Sequence, residues 1–331
     1  MAKRMNKTNE NQFFKSLDGL AYGMFVSIGI GAVMIELGKI FNFNQLIAWG
    51  GAVQNLAGPA IGIGIAYATG TTGIALLSAG LAGAICVSDS AAWPICAYLA
   101  VMISCYVGQF IKDKTPIDIF LTPVITIAVA GLINCVAAPY IDWAVDWLVC
   151  QIDLAATFPV WMMSMLVSCL MGLIGITPLI SLSISYTIGL NGLAAGAAIA
   201  GECAFMMGLA AMSMNDNEIG DVIATGAGMG LLQFKNAIKH PLILIPPILT
   251  SLINGPLSAC LLKLSGTTYG AGIGNVAFAG PLSIVSVMGN SYWLMVIIVD
   301  MLLPIIICYS IYRAFLRLGW IRAGDLKIRR L

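Results

Sequence analysis

Apolar runs follow one another through this sequence with little between them. They fall at about 14–38, 46–69, 72–88, 92–111, 118–137, 159–188, 191–213, 221–238, 242–262 and 292–315. A helix needs about 20 mainly apolar residues to cross roughly 30 Å of hydrocarbon, and runs of this kind supply that length. Hydrocarbon offers no water to an open backbone, so the runs must satisfy their own peptide groups, as helices do. A β-barrel would alternate apolar and polar residues with period two, and that pattern is absent. Composition agrees: 60% of the 331 residues are hydrophobic and 9% charged, too little polar surface for a soluble domain of this size. The expected fold is an all-α polytopic membrane protein, one transporter domain over residues 1–331 with about ten spans.

Charge gives the expected orientation. With the N-terminus in the cytoplasm and sides alternating, Lys3, Arg4, Lys7, Lys15, Lys112, Lys114, Lys235, Lys239, Arg313, Arg317, Arg322, Lys327, Arg329 and Arg330 fall inside, and only Lys39 and Lys263 outside. Both termini are therefore expected in the cytoplasm. The polar start, MAKRMNKTNENQ, has no small-residue cleavage site and reads as a retained tail. The outer loops come out acidic: NDNEIGD at 215–221, and YIDWAVDWLVCQID at 140–153. In the latter, Trp143 and Trp147 lie one turn apart, as do Asp142 and Asp146, which suggests a helix lying flat in the outer interface.

Several chemistries are excluded. There is no G-x-x-x-x-G-K-[ST] loop for ATP hydrolysis, and no polar block exceeds about 25 residues. Energy must then come from an ion gradient or a separate chain. Nine scattered cysteines with no C-x-x-C pair, and a single histidine, give no metal-ligand spacing. No metal, organic cofactor or nucleic-acid partner is expected.

An internal similarity organises the chain. Residues 59–75, PAIGIGIAYATGTTGIA, match 178–194, PLISLSISYTIGLNGLA, at seven of seventeen positions without a gap. The identities are Pro59/Pro178, Ile61/Ile180, Ile65/Ile184, Tyr67/Tyr186, Gly70/Gly189, Gly73/Gly192 and Ala75/Ala194. QFIKDKTPIDIF at 109–120 resembles QFKNAIKHPLILI at 233–245 with one insertion. Two copies of a four-span unit, approximately 46–137 and 159–262, are expected, with an extra helix at each end. Such repeats mark carrier folds with the substrate site near the repeat interface. The copies are parallel by the span count, or inverted if one run is re-entrant.

Glu202 is the sharpest chemical candidate. It lies mid-span in GLAAGAAIAGECAFMMGL, among small residues that admit close backbone approach. A lone carboxylate there is costly unless paired, hydrated or protonated. It is expected either to tie helices together or to hydrogen-bond and deprotonate a sugar hydroxyl. GITPLISLSISYTIGLNG interrupts an apolar run with Thr177, Pro178, Ser181, Ser183 and Asn191, as a broken segment lining a cavity would. Serine-mediated helix packing is the plainer reading. Gln54 and Asn55 are the first-copy counterparts. GAGIGNVAFAGPLSIVSVMGNS, with Asn275, reads as a re-entrant hairpin more than a full crossing. Asp300 is a further buried acid without an evident partner.

His240 stands between Lys239 and Pro241, where the first copy reads Lys-Thr-Pro at 114–116. The lysine anchors at headgroups and the proline suits the first turn of a helix. The histidine does not recur, so it is either incidental or a second-copy contact to substrate or phosphoryl donor. Lys112, Lys114, Lys235 and Lys239 form basic loops that would attract an acidic surface or a phosphate, beside their role as inside signals. Lys235 and Asn236 lie in the weakly polar run ATGAGMGLLQFKNAIK and are placed with the cavity.

These stretches carry a resemblance. GITPLISLSISYTIGLNGLAAGAAIAG, LLQFKNAIKHPLILIPPILTSLINGPLSA and GAGIGNVAFAGPLSIVSVMG resemble the membrane IIC subunits of the bacterial phosphotransferase system. The branch that includes perfringolysin-regulator-like proteins is the most similar, and KSLDGLAYGMFVSIGIGAVMIELGKIF also fits it. The resemblance covers most of the chain and is clearest from about 170 to 290. It implies a homodimeric sugar carrier in the inner membrane, whose substrate is phosphorylated by a separate IIB protein. Glucose-type IIC subunits carry G-I-T-E-P, whose glutamate handles the reacting hydroxyl, but residues 175–178 here read G-I-T-P. Either Glu202 supplies the carboxylate, or the protein transports without phosphorylating. A proton-coupled secondary transporter and a membrane sensor of gene expression are the alternatives.

Overall fold

The computed structural model describes residues 2–111, 114 and 116–330, with side chains from Gln12 onward. Lys112, Asp113 and Thr115 of the first basic loop lie outside the described residues. Apolar runs of membrane length become helices because only a helix closes its own hydrogen bonds in hydrocarbon. Among the described residues there is no strand, only an isolated antiparallel bridge between Gly192 and Gly266. The chain is an all-α polytopic membrane protein.

Six helices among the described residues are long and apolar enough to cross a membrane: Gln12–Ile40, Trp93–Ile111, Asp118–Ala156, Gly192–Ser213, Pro241–Leu261 and Asn290–Arg317. The other four apolar runs are short or broken. Residues 46–69 divide into Asn44–Asn55 and Ala57–Ala68, and 72–88 yield only Ile74–Ala84. Residues 159–188 divide into Val160–Gly175 and Ser181–Ile188 around Pro178. Residues 221–238 break most, into Ile219–Ile223, a π-turn at Ala224–Gly228, a tight turn at Gly230–Gln233 and Phe234–Lys239. Glycine and proline are the cause, the first by its entropy and the second by its missing N–H.

The segment 140–153 is not a separate interfacial helix. It is the end of the 39-residue helix Asp118–Ala156, which contains Pro123 and Pro139. At 1.5 Å per residue that helix is about 58 Å long, roughly twice the hydrocarbon thickness.

The chain forms two compact units, residues 1–144 with 329–331, and residues 145–328. In the first, small residues let backbones touch. A Cβ on Gly19 would strike the Gly64 carbonyl, and one on Gly64 would strike that of Gly19, so Gln12–Ile40 lies directly on Ala57–Ala68. Gly83 meets Gly58 in the same way, joining Ala57–Ala68 to Ile74–Ala84. Ser16 and Tyr98, 2.8 Å apart, tie the first span to Trp93–Ile111.

In the second unit, Gly192–Ser213 is the hub, with 83% of its most apolar window buried. Gly201 lies on the Ser168 backbone of Val160–Gly175, and Gly208 on Cys308 of the last span. Bulkier residues at these positions would force the helices apart, which is why this span reads G-L-A-A-G-A-A-I-A-G.

The two similar segments have the same local backbone. Gly70 and Gly189 have φ of +80° and +72°, and Gly73 and Gly192 have φ of +68° and +56°. Thr71 N–H donates to the Ala66 carbonyl at 2.8 Å, and Leu190 N–H to the Ser185 carbonyl at 3.1 Å. Each helix therefore ends in a six-residue return bond with a left-handed glycine at the turn.

One expected orientation is corrected. The acidic loop 215–221 and the C-terminal segment were expected on opposite faces. Instead Asn217 donates to the Leu326 carbonyl at 2.8 Å and accepts from Ile328 N–H at 2.7 Å, while Asp216 accepts from Gly324 N–H at 2.9 Å. Toward the end of the 221–238 run, Gln233 and Asn236 donate to the Leu326 and Lys327 carbonyls at 3.0 and 3.2 Å. Both ends of that run meet the same few residues, so it returns to the face it left. Its interior breaks make that return possible.

Candidate functional site

Glu202 is 2% exposed and lies where three chain breaks of the second unit converge. The first break is Gly175–Ile180. A Cβ on Gly175 would sit 3.6 Å from Glu202 Cγ and 3.8 Å from Oε1, so this loop passes over the carboxylate. Thr177 steadies it, with its N–H and hydroxyl both donating to the Ile174 carbonyl at 2.9 and 2.8 Å.

The second break is Gly274–Phe278, between Thr268–Ile273 and Ala279–Met288. Gly274 has φ of +59°, and any Cβ there would collide with Glu202 Oε2. Glycine is thus required twice, by its backbone conformation and by space. Ala277 and Phe278 also have positive φ, +48° and +61°, a strained tip of the kind found at ligand sites. Ser181 joins the first two breaks: its hydroxyl donates to the Gly272 carbonyl at 2.7 Å, and its side chain lies beside the Glu202 carboxylate.

The third break is the π-turn ending at Gly228, followed by extended Met229. Asn275, fully buried at the tip of the second break, donates from Nδ2 to the Gly226 carbonyl at 2.7 Å. Asn275 Oδ1 and Glu202 Oε1 are both buried without a hydrogen-bond partner among the described residues. Each orphaned acceptor costs about 1–3 kcal/mol unless a donor reaches it. Each of these acceptors could take a hydrogen bond from a hydroxyl group. The apolar cavity of about 200 Å³ beside Gly226 and Phe278, lined by Met207, Met214 and Ile223 among others, offers no such polar contact.

The other candidates lie elsewhere or have other partners. Ser183 is half-buried on Ser181–Ile188. Asn191 is exposed, and its amide donates to the Gly189 carbonyl at 3.0 Å. Asn236 and Lys235 are buried, 8% and 7% exposed, and the Asn236 amide bonds Gln233 Oε1 and the Lys327 carbonyl. His240 Nδ1 lies 3.5 Å from Asp325 Oδ1. Asn236 and His240 thus hold the C-terminal segment. Gln54 and Asn55 belong to the first unit, where Gln54 donates to the Ile28 carbonyl at 3.3 Å and Asn55 is exposed at a helix end.

Sequence reasoning missed the roles of Gly175, Gly226 and Gly274, whose meaning depends on which residue lies against them. A second polar spot sits on the other side of the hub helix. Asn254 donates to the Ala200 and Val299 carbonyls at 3.3 and 2.9 Å, and Asp300, fully buried in the π-helical stretch Ile297–Leu302, has both oxygens unpaired among the described residues.

The fold and this buried site define a polytopic membrane protein built around broken helices. The family model described as phosphotransferase system, EIIC, matches residues 14–328. The chain belongs to that family, the multi-pass membrane permeases of the bacterial phosphotransferase system. No curated protein and no solved structure matches it.

Proposed function

We propose that the chain carries a neutral sugar or polyol at Glu202 and presents it for phosphorylation by a separate IIB protein, working as a homodimer. The observation that supports this most is the buried Glu202 carboxylate, roofed by Gly175, flanked by Ser181 and Gly274, with Oε1 and Asn275 Oδ1 both orphaned. Orphaned acceptors select a ligand rich in O–H donors. The acid that glucose-type IIC subunits carry in G-I-T-E-P, absent from the G-I-T-P loop here, is then supplied by Glu202 through the contact at Gly175.

In the reaction, Glu202 takes the proton of the substrate hydroxyl as that oxygen attacks phosphorus. The bond from phosphorus to the IIB donor breaks, and a sugar phosphate ester forms. Such a base contributes roughly 10²- to 10⁴-fold. The basic residues Arg317, Arg322, Lys327, Arg329 and Arg330 favour a cytoplasmic C-terminal face, where a donor would arrive. The matching turns at Gly70/Gly73 and Gly189/Gly192 support two copies of one unit, over about 46–137 and 159–262, with the substrate held by the second.

The deciding experiment supplies membrane vesicles with phosphoenolpyruvate, the relay proteins and the IIB partner, and identifies the accumulated sugar. Phosphorylated product that disappears in Glu202→Gln supports the reading. Unmodified sugar whose accumulation collapses with an uncoupler would overturn it in favour of a proton-coupled carrier.

A further inference from the structure

The C-terminal segment Ile321–Ile328 has no helix of its own, yet it is held along its length. Asp216 accepts from the Gly324 N–H, Asn217 brackets Lys327 by donating to the Leu326 carbonyl and accepting from the Ile328 N–H, Gln233 donates to that same Leu326 carbonyl, and Asn236 donates to the Lys327 carbonyl. His240 faces Asp325. Two apolar anchors, Ile321 and Leu326, are 1% and 0% exposed and enter the cluster that contains Ile176, Phe205 and Ala237. Ile176 belongs to the G-I-T-P loop over Glu202, and a Cβ on Gly230 would press against Ile176. The segment therefore bonds the returning run 219–239 and shares one buried cluster with Ile176 of the loop that roofs the carboxylate.

Its attachment is of a releasable kind. The polar contacts are single hydrogen bonds from side chains to backbone, each contributing only about 1 kcal/mol net because water competes for the same groups. The elements beneath it are irregular: a π-turn, an extended Met229 and a tight turn. Segments with few apolar anchors and irregular supports are the ones that open locally.

We infer that Ile321–Ile328 is a strap that closes the Glu202 site toward the face carrying the C-terminus, and that entry from that face requires its release. The inference rests on Glu202 marking the site, but the strap's effect on access is measurable without any substrate.

The test uses the full chain in membranes, with native cysteines replaced. In one variant, Asn217→Cys and Lys327→Cys lock the strap as a disulfide and free it on reduction. Hydrogen exchange of backbone amides 226–239 should be slower in the locked form. In a second variant, Thr177→Cys reports access to the G-I-T-P loop through a membrane-impermeant maleimide added on the C-terminal face. Asn217→Ala with Asn236→Ala should speed its labelling by about tenfold or more, the population change expected from losing roughly 1.4 kcal/mol of closure. If that pair fails to fold, the reversible disulfide still decides the question. Equal exchange in the locked and reduced forms, or equal labelling with folded, loosened strap, overturns the strap. Active Glu202→Gln with an intact exchange response would instead overturn the site assignment alone.

Discussion

Asn217 and Gln233 donate to one and the same oxygen, the carbonyl of Leu326, at 2.8 and 3.0 Å. The fifteen residues between them take in 221–232, most of the apolar run 221–238 that looks like a membrane crossing, and Asn236 near the end of that run donates to the adjacent Lys327 carbonyl at 3.2 Å. A crossing would separate its ends by roughly 30 Å, whereas a shared acceptor holds these two side chains within one hydrogen-bonding shell. The two ends of the run therefore lie side by side, and its interior meets Asn275 at Gly226.

The same-side arrangement is directly testable. Asn215 and Ala323 are both exposed, on the acidic loop and the strap respectively. Single cysteines at these positions, in a chain stripped of native thiols, should react with an impermeant maleimide from one and the same side. Reaction from opposite sides would contradict the return of the 219–239 run.

Gly274→Ala tests the cradle. The added methyl meets Glu202 Oε2 and must also adopt φ of +59°. A cost of about 1–3 kcal/mol is expected, together with a large loss of sugar phosphorylation. Gly220→Ala is the control, since nothing lies within 4 Å of its Cβ and its φ is ordinary. Similar activities for the two variants would remove Gly274 from the site.

Leu326→Ala probes the strap's main anchor. Leu326 is fully buried in the cluster with Phe205 and Tyr312, so truncation should cost about 2–5 kcal/mol and lower the melting temperature in detergent. Lys327→Ala, at an exposed side chain, should stay within about 0.5 kcal/mol. Equal melting temperatures would mean that the segment is not packed as described.

His240→Thr places the first segment's residue in the second. The His240 side chain is 46% exposed and its partner Asp325 is 15% exposed, so their contact should contribute less than about 1 kcal/mol. Expression and melting temperature should match the wild type. A drop of many degrees would show that the histidine is a structural anchor and not a strap contact at the rim.

The sequence by itself determined the membrane class, because run length and apolarity are local properties that a helix must satisfy wherever it lies. It also determined where helices break: the G-I-T-P loop, the glycines at 70, 73, 189 and 192, and the run around Gly274 all punctuate the structure where their residue types require. Glu202 stood out for the same local reason, a carboxylate among small residues in a span. What only the tertiary structure decided is which breaks face each other. Gly175 and Gly274 become a cradle only when Glu202 lies between them, and Asn217 and Leu326 are 109 residues apart in the chain. Hydropathy reports how well a segment suits hydrocarbon, not whether it crosses or returns. That choice rests on a few directional hydrogen bonds to a distant backbone, and no local pattern encodes the partner of a backbone carbonyl.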